Sequence, residues 1–207
     1  MSTRVMVPPD PLVSPADVPG GHGPDDAAVA AMIVAAQRLI DGPSGWLGIC
    51  LGPQTLETVV RCWSDVETAL FGPVIDIESI LYIDASGDEH QVPDDDWLLD
   101  GGRLYLASSW VRPALASRRF PIKITYDAGY NESDPYSGGT GDIPENAKAA
   151  IIDAVQQLIL ARSDTLGLRS VETVDVETIT YLDADKVSAI MRNASSDLLS
   201  GLWVPRI

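Results

Sequence analysis

The stretch Ile122–Tyr130, IKITYDAGY, alternates apolar and polar side chains and then stops at a Gly-Tyr pair. Ile122, Ile124 and Tyr126 occupy alternate positions, and a period of two residues is typical of a half-buried strand. The polar loop NESDPYSGGTGD follows, and after it comes IPENAKAAIIDAVQQLILAR, which has helical periodicity. This part of the chain therefore predicts a strand with a sharp end, a loop and a long helix.

The sequence before this strand, from about residue 73, predicts further strands joined by hairpin turns. The run from Pro73 to Ile83 is a strand candidate, and DASGD at Asp84–Asp88 has a glycine where a turn needs a positive φ. Glu89–Val92 is the predicted return strand. Two short apolar runs flank Asp100-Gly101-Gly102, and they predict a second hairpin.

Helical periodicity flanks this strand block on both sides. The first helix is predicted from its apolar positions, Val29, Met32, Ile33, Ala36, Leu39 and Ile40. The run from Gln54 to Trp63 is compatible with either a helix or a strand. The helix over 145–161 has a wide apolar face made of Ala147, Ala150, Ile151, Ala154, Val155, Leu158 and Ala161, with Ile152 and Ile159 widening it. So wide a face predicts burial against more than one neighbour.

The predicted fold class is α+β: a helical bundle with an inserted small β-sheet or hairpin block at about 73–130 and an extended C-terminal tail. Residues 1–24 hold six prolines and three glycines and are predicted to be a flexible arm without its own core. Residues 25–200 are predicted to be the main domain, and residues 201–207 a docking tail.

The tail, SGLWVPRI, is unusually apolar for a chain terminus. Pro205 disfavours a helix there, and an extended apolar end suits insertion into a neighbour's groove. The residues predicted to dock are Leu202, Trp203, Val204, Pro205, Arg206 and Ile207. In the alternative interpretation Trp203 folds back onto the chain's own helices, and Arg206 is ordinary surface.

Composition excludes several classes of function. The chain has 14 basic and 30 acidic residues, a formal net charge of −16, so it should repel nucleic-acid phosphates and anionic membranes. Its apolar runs are shorter than a membrane span, and the N-terminus has no signal-peptide pattern. Cys50 and Cys62 are predicted to be buried, reduced thiols. We expect a soluble protein that is made in the cytoplasm.

Three kinds of chemistry were considered, and none is favoured. Cys50 or Cys62 could pair with His22 or His90 as nucleophile and base, but both histidines lie in loop-like sequence. The acidic runs at 84–88 and 94–96 could bind Ca²⁺, but the strands on either side of 84–88 favour a solvated acidic hairpin instead. Gly138–Gly141 lacks the Lys-Ser/Thr of a phosphate-binding loop. We therefore expect no catalysis, no cofactor and no metal.

The order of these features resembles the head–tail connector, or adaptor, proteins of tailed bacteriophages and of phage-derived gene transfer agents. The residues that carry the resemblance are Asp84–Asp88, Tyr126–Tyr130, Ile143-Pro144, the helix ending in Ala161-Arg162, Tyr181, Leu198-Leu199 and Pro205-Arg206. The likeness spans roughly residues 25–206. The chain departs from the family in its long proline-rich arm and in its larger loop after Tyr130.

The resemblance implies a ring of about twelve subunits that joins the capsid portal protein to a tail-completion, or stopper, protein. It implies that DNA passes through the ring without specific binding, that C-terminal segments reach the portal, and that the protein is made in the bacterial host cytoplasm and located at the head–tail junction. An acidic lumen would let DNA slide. Ile152 and Ile159 are the candidate subunit-interface residues. The alternative is a small acidic soluble enzyme or binding module with an unrecognised site.

Overall fold

A computed structural model of the chain describes residues 1–135 and 138–162, together with the single positions Leu199 and Leu202. The described elements are β1 (Ser2–Val7), α1 (Ala27–Ile40), β2 (Gln54–Val60), α2 (Trp63–Val66), β3 (Val74–Ile83), β4 (Glu89–Gln91), β5 (Trp97–Asp100), β6 (Arg103–Leu106), β7 (Ile122–Ala128) and α3 (Glu145–Arg162), with 3-10 turns at Pro15–Asp17 and Asp94–Asp96.

Contacts divide the chain into two compact units. We call the first the sheet unit; it comprises Met1–Asp10 and Asp41–Ile143. We call the second the helix unit; it comprises Pro11–Ile40 and the described residues of Pro144–Trp203. The described strands therefore all belong to one unit, and α1 and α3 belong to the other.

The sheet unit is built on a five-stranded antiparallel sheet in the order β1-β2-β7-β3-β4. β7 is the central strand, since Tyr126 lies opposite Leu56 of β2 on one side and Ile77 of β3 on the other. Buried and half-buried residues alternate along β7. The strand predicted in IKITYDAGY is confirmed, and it decides the fold because both halves of the sheet pair with it.

The Gly-Tyr pair ends β7 because another part of the backbone lies against it. The Gly129 N–H donates to the Pro73 carbonyl at 2.8 Å, and the Tyr130 N–H donates to the Leu51 carbonyl at 3.0 Å. Gly129 has φ = 128°, and a Cβ there would overlap the Gly52 carbonyl. Glycine is required on both counts, since other residues strain at this φ and carry a Cβ.

The predicted hairpins are confirmed. β3 and β4 pair through Leu81–Ile83 and Glu89–Gln91, and Gly87 in the turn has φ = 96°. β5 and β6 form a separate two-stranded sheet around Gly101 and Gly102, both with positive φ. The ambiguous run Gln54–Trp63 is strand β2 followed by the short helix α2.

The sheet unit contains a large apolar cluster. It includes alternate residues of β2, β3 and β7 and the inward side chains of β6, among them Leu56, Val60, Ile77, Ile80, Leu104, Leu106, Ile122, Ile124 and Tyr126. The Tyr126 hydroxyl is buried within it, 3.0 Å from the Phe71 N–H that donates to it and 3.1 Å from the Thr58 hydroxyl. These bonds satisfy a polar atom that would be costly to bury alone.

The helix unit packs α1 against α3. Asp26 begins α1 by accepting hydrogen bonds from the backbone N–H groups of Ala28 and Val29, as an N-cap does. The predicted face of α1 is buried except for Leu39, which is 57% exposed. Gln37 is buried instead, because its Oε1 accepts the Leu12 N–H at 3.0 Å.

The predicted helical bundle with an inserted β block is wrong. Among the described residues the main framework is the five-stranded sheet with the β5–β6 hairpin, accompanied by α1, α2 and α3. The sequence favoured a helical prediction because the periodicity of a helix is visible within a short, local stretch of residues. Membership of β1 and β2 in the sheet depends instead on pairing between distant residues, such as Thr3 and Thr58, 55 positions apart.

Part of the predicted flexible arm is a strand. Ser2–Val7 forms β1, which pairs with β2 from Ser2↔Val59 to Val7↔Thr55. The Thr3 and Thr58 hydroxyls are 2.8 Å apart, and Arg4 forms an ion pair with Glu57 at 2.9 Å. Most of β1 is exposed, so its own sequence carries no burial pattern. The domain boundaries proposed at residues 24 and 200 stay predictions.

Candidate assembly surfaces

α3 presents a buried face with an apolar border. The buried residues are the predicted ones, Ala147, Ala150, Ile151, Ala154 and Val155. Ile152 and Ile159 lie beside this face and are half-buried, as is Leu158. Seven positions separate Ile152 from Ile159, which is about two helical turns, so they lie on the same side of the helix. This border is an apolar edge that a partner can cover further; its role as a subunit interface stays a prediction.

The predicted docking tail lies mostly outside the described residues. Leu202 is the exception: it is half-buried, and its N–H donates to the carbonyl of the buried Leu199 at 2.9 Å. The other five predicted docking residues, Trp203, Val204, Pro205, Arg206 and Ile207, and the late resemblance residues Tyr181 and Leu198, lie outside the described residues.

The acidic turn between β3 and β4 is organised by Asp84. Its Oδ1 accepts the backbone N–H groups of Ser86 at 2.8 Å and Asp88 at 3.1 Å, and its Oδ2 is 3.0 Å from His90 Nε2. The hydrogen bond from Asp88 is the main cause that lowers the pKa of Asp84; bonds from His90 and Ser86 add to it, and partial burial opposes it. These hydrogen bonds show that Asp84 stabilises the turn.

The second acidic run, Asp94–Asp96, is a 3-10 turn. Asp94 and Asp95 are exposed. Within residues 1–135 and 138–162 no three His, Cys, Asp or Glu side chains come together in a way that could hold a metal ion.

An aromatic cluster that the sequence did not reveal lies beside the acidic turn. The Trp63 ring is 5.2 Å from Tyr82 and 4.8 Å from Trp110, both edge to face, and Tyr82 stacks on His90 at 5.3 Å. The Trp63 indole N–H donates to the Pro113 carbonyl at 2.9 Å. The four rings come from separate elements with no common spacing, so no sequence pattern could have predicted their contact.

The cysteines and histidines considered as a nucleophile and base occupy unrelated environments. Cys50 is buried as predicted, but Cys62 is exposed, so its predicted burial is wrong; the Cys62 thiol contacts Ser64 at 3.1 Å. His22, in the helix unit, contacts Asp26, and His90 contacts Asp84 and Tyr82.

A recess in the sheet unit, of about 330 Å³, has a lining suited to apolar contact rather than acid–base chemistry. Its described lining is Pro73, Val74, Ile75, Leu99, Gly101, Gly102, Pro135, Gly138, Gly139 and Thr140, none of which is ionisable. Among the described helices, none combines the length and the apolar character needed to cross a bilayer.

Comparison with known proteins finds the same fold in virus-like particles. No family model matches the chain, and no curated protein matches it. Among solved structures it matches chains of "Virion of native gene transfer agent (GTA) particle" (18% identity, TM-score 0.60), "Neck of native GTA particle computed with C12 symmetry" (17%, 0.61) and "Neck of empty GTA particle computed with C6 symmetry" (18%, 0.62). Each match covers 100% of this chain and 97% of the other. At this identity the match establishes a shared fold.

Proposed function

We propose that this protein is a structural component of a phage-derived particle, located in the neck where head and tail join. The observation that carries the proposal is the end-to-end fold match to chains of gene transfer agent virions and necks. A match over the whole of both chains supports the same kind of use more strongly than a shared subdomain would. The connector resemblance of the sequence points to the same place.

At finer detail, we propose the role of an adaptor: a ring between the portal protein and a stopper protein, with DNA passing through. Related necks were computed with C12 and C6 symmetry, which supports a cyclic assembly of about twelve copies. The net charge of −16 supports a channel that does not retain DNA. The proposed portal-docking residues are Leu202–Ile207, and the proposed subunit contact is at Ile152 and Ile159.

The first experiment locates the chain. An epitope-tagged copy is expressed in the cell that produces the particles, and purified particles are probed for the tag and imaged with a tag-binding label. We expect label at the junction of head and tail, at a copy number that fits a cyclic ring. Particles that carry no tagged chain, or that carry it on the capsid surface or tail tip, would contradict the proposal.

The second experiment tests the α3 edge. Ile152→Asp and Ile159→Asp place a carboxylate at the apolar border and should abolish incorporation into the neck while the free chain stays folded, because an unpaired charge is costly in a covered contact. Val34→Asp is the matched control, since Val34 is an aliphatic side chain of α1 with 36% exposure. Normal incorporation of both isoleucine variants would remove α3 from the interface.

The third experiment tests the tail. Deletion of residues 201–207 should leave the melting temperature of the free chain unchanged but yield heads that do not retain the protein. A lower melting temperature with normal retention would show that the tail is part of the chain's own core. The enzyme alternative receives no support from the described contacts or from the recess lining.

A further inference from the structure

One segment of the sheet unit is free of acidic residues in an otherwise acidic chain. Between Gly101 and Tyr126 there is no Asp or Glu, although the chain contains 30 of them. Five of its 14 basic residues lie in this segment, Arg103, Arg112, Arg118, Arg119 and Lys123. The segment includes the connection between β6 and β7, residues 107–121, which we call the arginine loop.

The arginine loop is held in place along β3. The Ala116 N–H donates to the Ile83 carbonyl at 2.9 Å, and the Ile83 N–H donates to the Pro121 carbonyl at 2.9 Å. Trp110 packs edge to face on Trp63 at 4.8 Å. Backbone hydrogen bonds and a ring contact therefore fix the loop in one conformation, so it presents a defined surface and gives up little entropy on binding.

This surface combines free cations with an exposed apolar side chain. Val111 is 85% exposed, and Arg118 and Arg119 are exposed. Within the described part of the chain neither arginine forms an ion pair; Arg119 lies over the Phe120 ring at 5.1 Å. Arg112 approaches Glu67 only to 3.9 Å. Arginine and aromatic residues are enriched at protein interfaces.

We propose that the arginine loop is one side of the contact between adjacent copies of this chain. This inference rests on the proposed ring. Each copy carries a net charge of −16, so most pairs of facing surfaces bring like charges together. The exposed Arg118 and Arg119, which form no ion pair among the described residues, can attract a neighbour's carboxylates instead. A ring repeats one contact between two different faces, so a basic face of one copy can meet an acidic face of the next.

Duplex DNA is the competing partner for exposed arginines, and the charge distribution disfavours it. Two unpaired arginines on a chain of net charge −16 provide little phosphate affinity. Val111, the most exposed of the chain's large apolar side chains in the described part, also has nothing to bind on a phosphate backbone. A protein surface can accept both the valine and the guanidinium groups.

Photo-crosslinking in intact particles can determine the identity of the partner. A photoreactive amino acid replaces Val111 in one variant and Arg61, an exposed arginine of the sheet unit outside the segment, in the control. We expect the Val111 probe to yield a product of twice the 22.1 kDa chain mass and the Arg61 probe to yield none. A product with another protein, a nuclease-sensitive product, or no product at Val111 would overturn the inference.

A competition experiment tests the charges. Cells produce wild-type chain together with the double variant Arg118→Gln/Arg119→Gln, and the ratio of the two is measured in purified particles. We expect the variant to be under-represented about fivefold or more, at an unchanged melting temperature, while Arg61→Gln competes equally. Equal incorporation of the double variant would overturn the inference. Absence of all three chains from particles would instead refute the proposed function.

Discussion

The sheet unit and the helix unit bury their apolar residues in different ways. In the sheet unit, strands from distant parts of the chain surround β7, and residues of β2, β3, β6 and β7 form one buried cluster. In the helix unit, α1 contacts α3, whose buried residues are three alanines, Ala147, Ala150 and Ala154, with Ile151 and Val155. Small residues let helix backbones approach closely but bury little area each.

This difference indicates which surfaces can take part in assembly without destabilising the fold. The sheet unit has a closed interior and offers partners its loops, such as the arginine loop. The helix unit has an apolar border in Ile152 and Ile159 that is neither fully buried nor fully exposed. Substitutions that disturb packing at the centre of the sheet should therefore destabilise the protein, whereas substitutions at the border of α3 should largely spare its stability.

The largest effect is expected at the end of β7. Gly129→Ala places a Cβ against the Gly52 carbonyl in a backbone conformation that L residues avoid, and should cost on the order of 3 to 5 kcal/mol of unfolding free energy, from strain plus overpacking. Gly87→Ala is the matched control, because φ is also positive there but no atom lies within 4 Å of the new Cβ. Urea unfolding measures both; similar losses would show that overlap with Gly52 is unimportant.

Two adjacent residues of α3 allow its buried face to be compared with its apolar border. Ile151→Ala should cost about 3 kcal/mol, because Ile151 is fully buried and the change leaves a cavity. Ile152→Ala should cost less than half as much, since its side chain is only half-buried. Thermal and urea unfolding of the free chain measure the difference. Equal losses would show that Ile152 belongs to the core and would weaken the case for an interface there.

A smaller effect is expected for the buried hydroxyl of the sheet unit. Tyr126→Phe removes the acceptor of the Phe71 N–H and the partner of Thr58, and should cost about 1 to 2 kcal/mol with the fold retained. Tyr105→Phe, on the exposed side of β6, should change the unfolding free energy by less than about 0.5 kcal/mol. A neutral Tyr126→Phe would mean that packing alone positions the ring.

The smallest effect is expected at the acidic turn, and it depends on pH. Because the pKa of Asp84 is lowered in the folded chain, its carboxylate contributes stability that is complete above the ordinary value of 3.8 and is lost as pH falls through the lowered pKa. Asp84→Asn should therefore lower the melting temperature at neutral pH, and the difference from wild type should shrink as pH falls below 3.8.

Asp95→Asn, in the exposed 94–96 turn, is the matched control for loss of one negative charge. A difference between Asp84→Asn and wild type that persisted unchanged at low pH would show that the charge of Asp84 has no part in the turn.

The central features of the candidate surfaces could be predicted because they depend on neighbouring residues. Alternation of apolar residues placed β3 and β7, glycines placed both hairpin turns, and a 3.6-residue period placed the buried face of α3 with Ile152 and Ile159 at its border. Each pattern reflects a periodicity of the backbone itself, so it can be read within ten to twenty residues.

The rest required contacts between distant parts of the chain. β1 is an exposed edge strand whose sequence shows no burial pattern; it is ordered because β2 offers it a partner, and this made a five-stranded sheet where a helical bundle was predicted. The need for glycine at position 129 arises from Gly52, and the shape of the arginine loop arises from β3 and Trp63. Local periodicity determines which elements form, whereas long-range pairing determines which of them share a core, and no short window of sequence contains both partners.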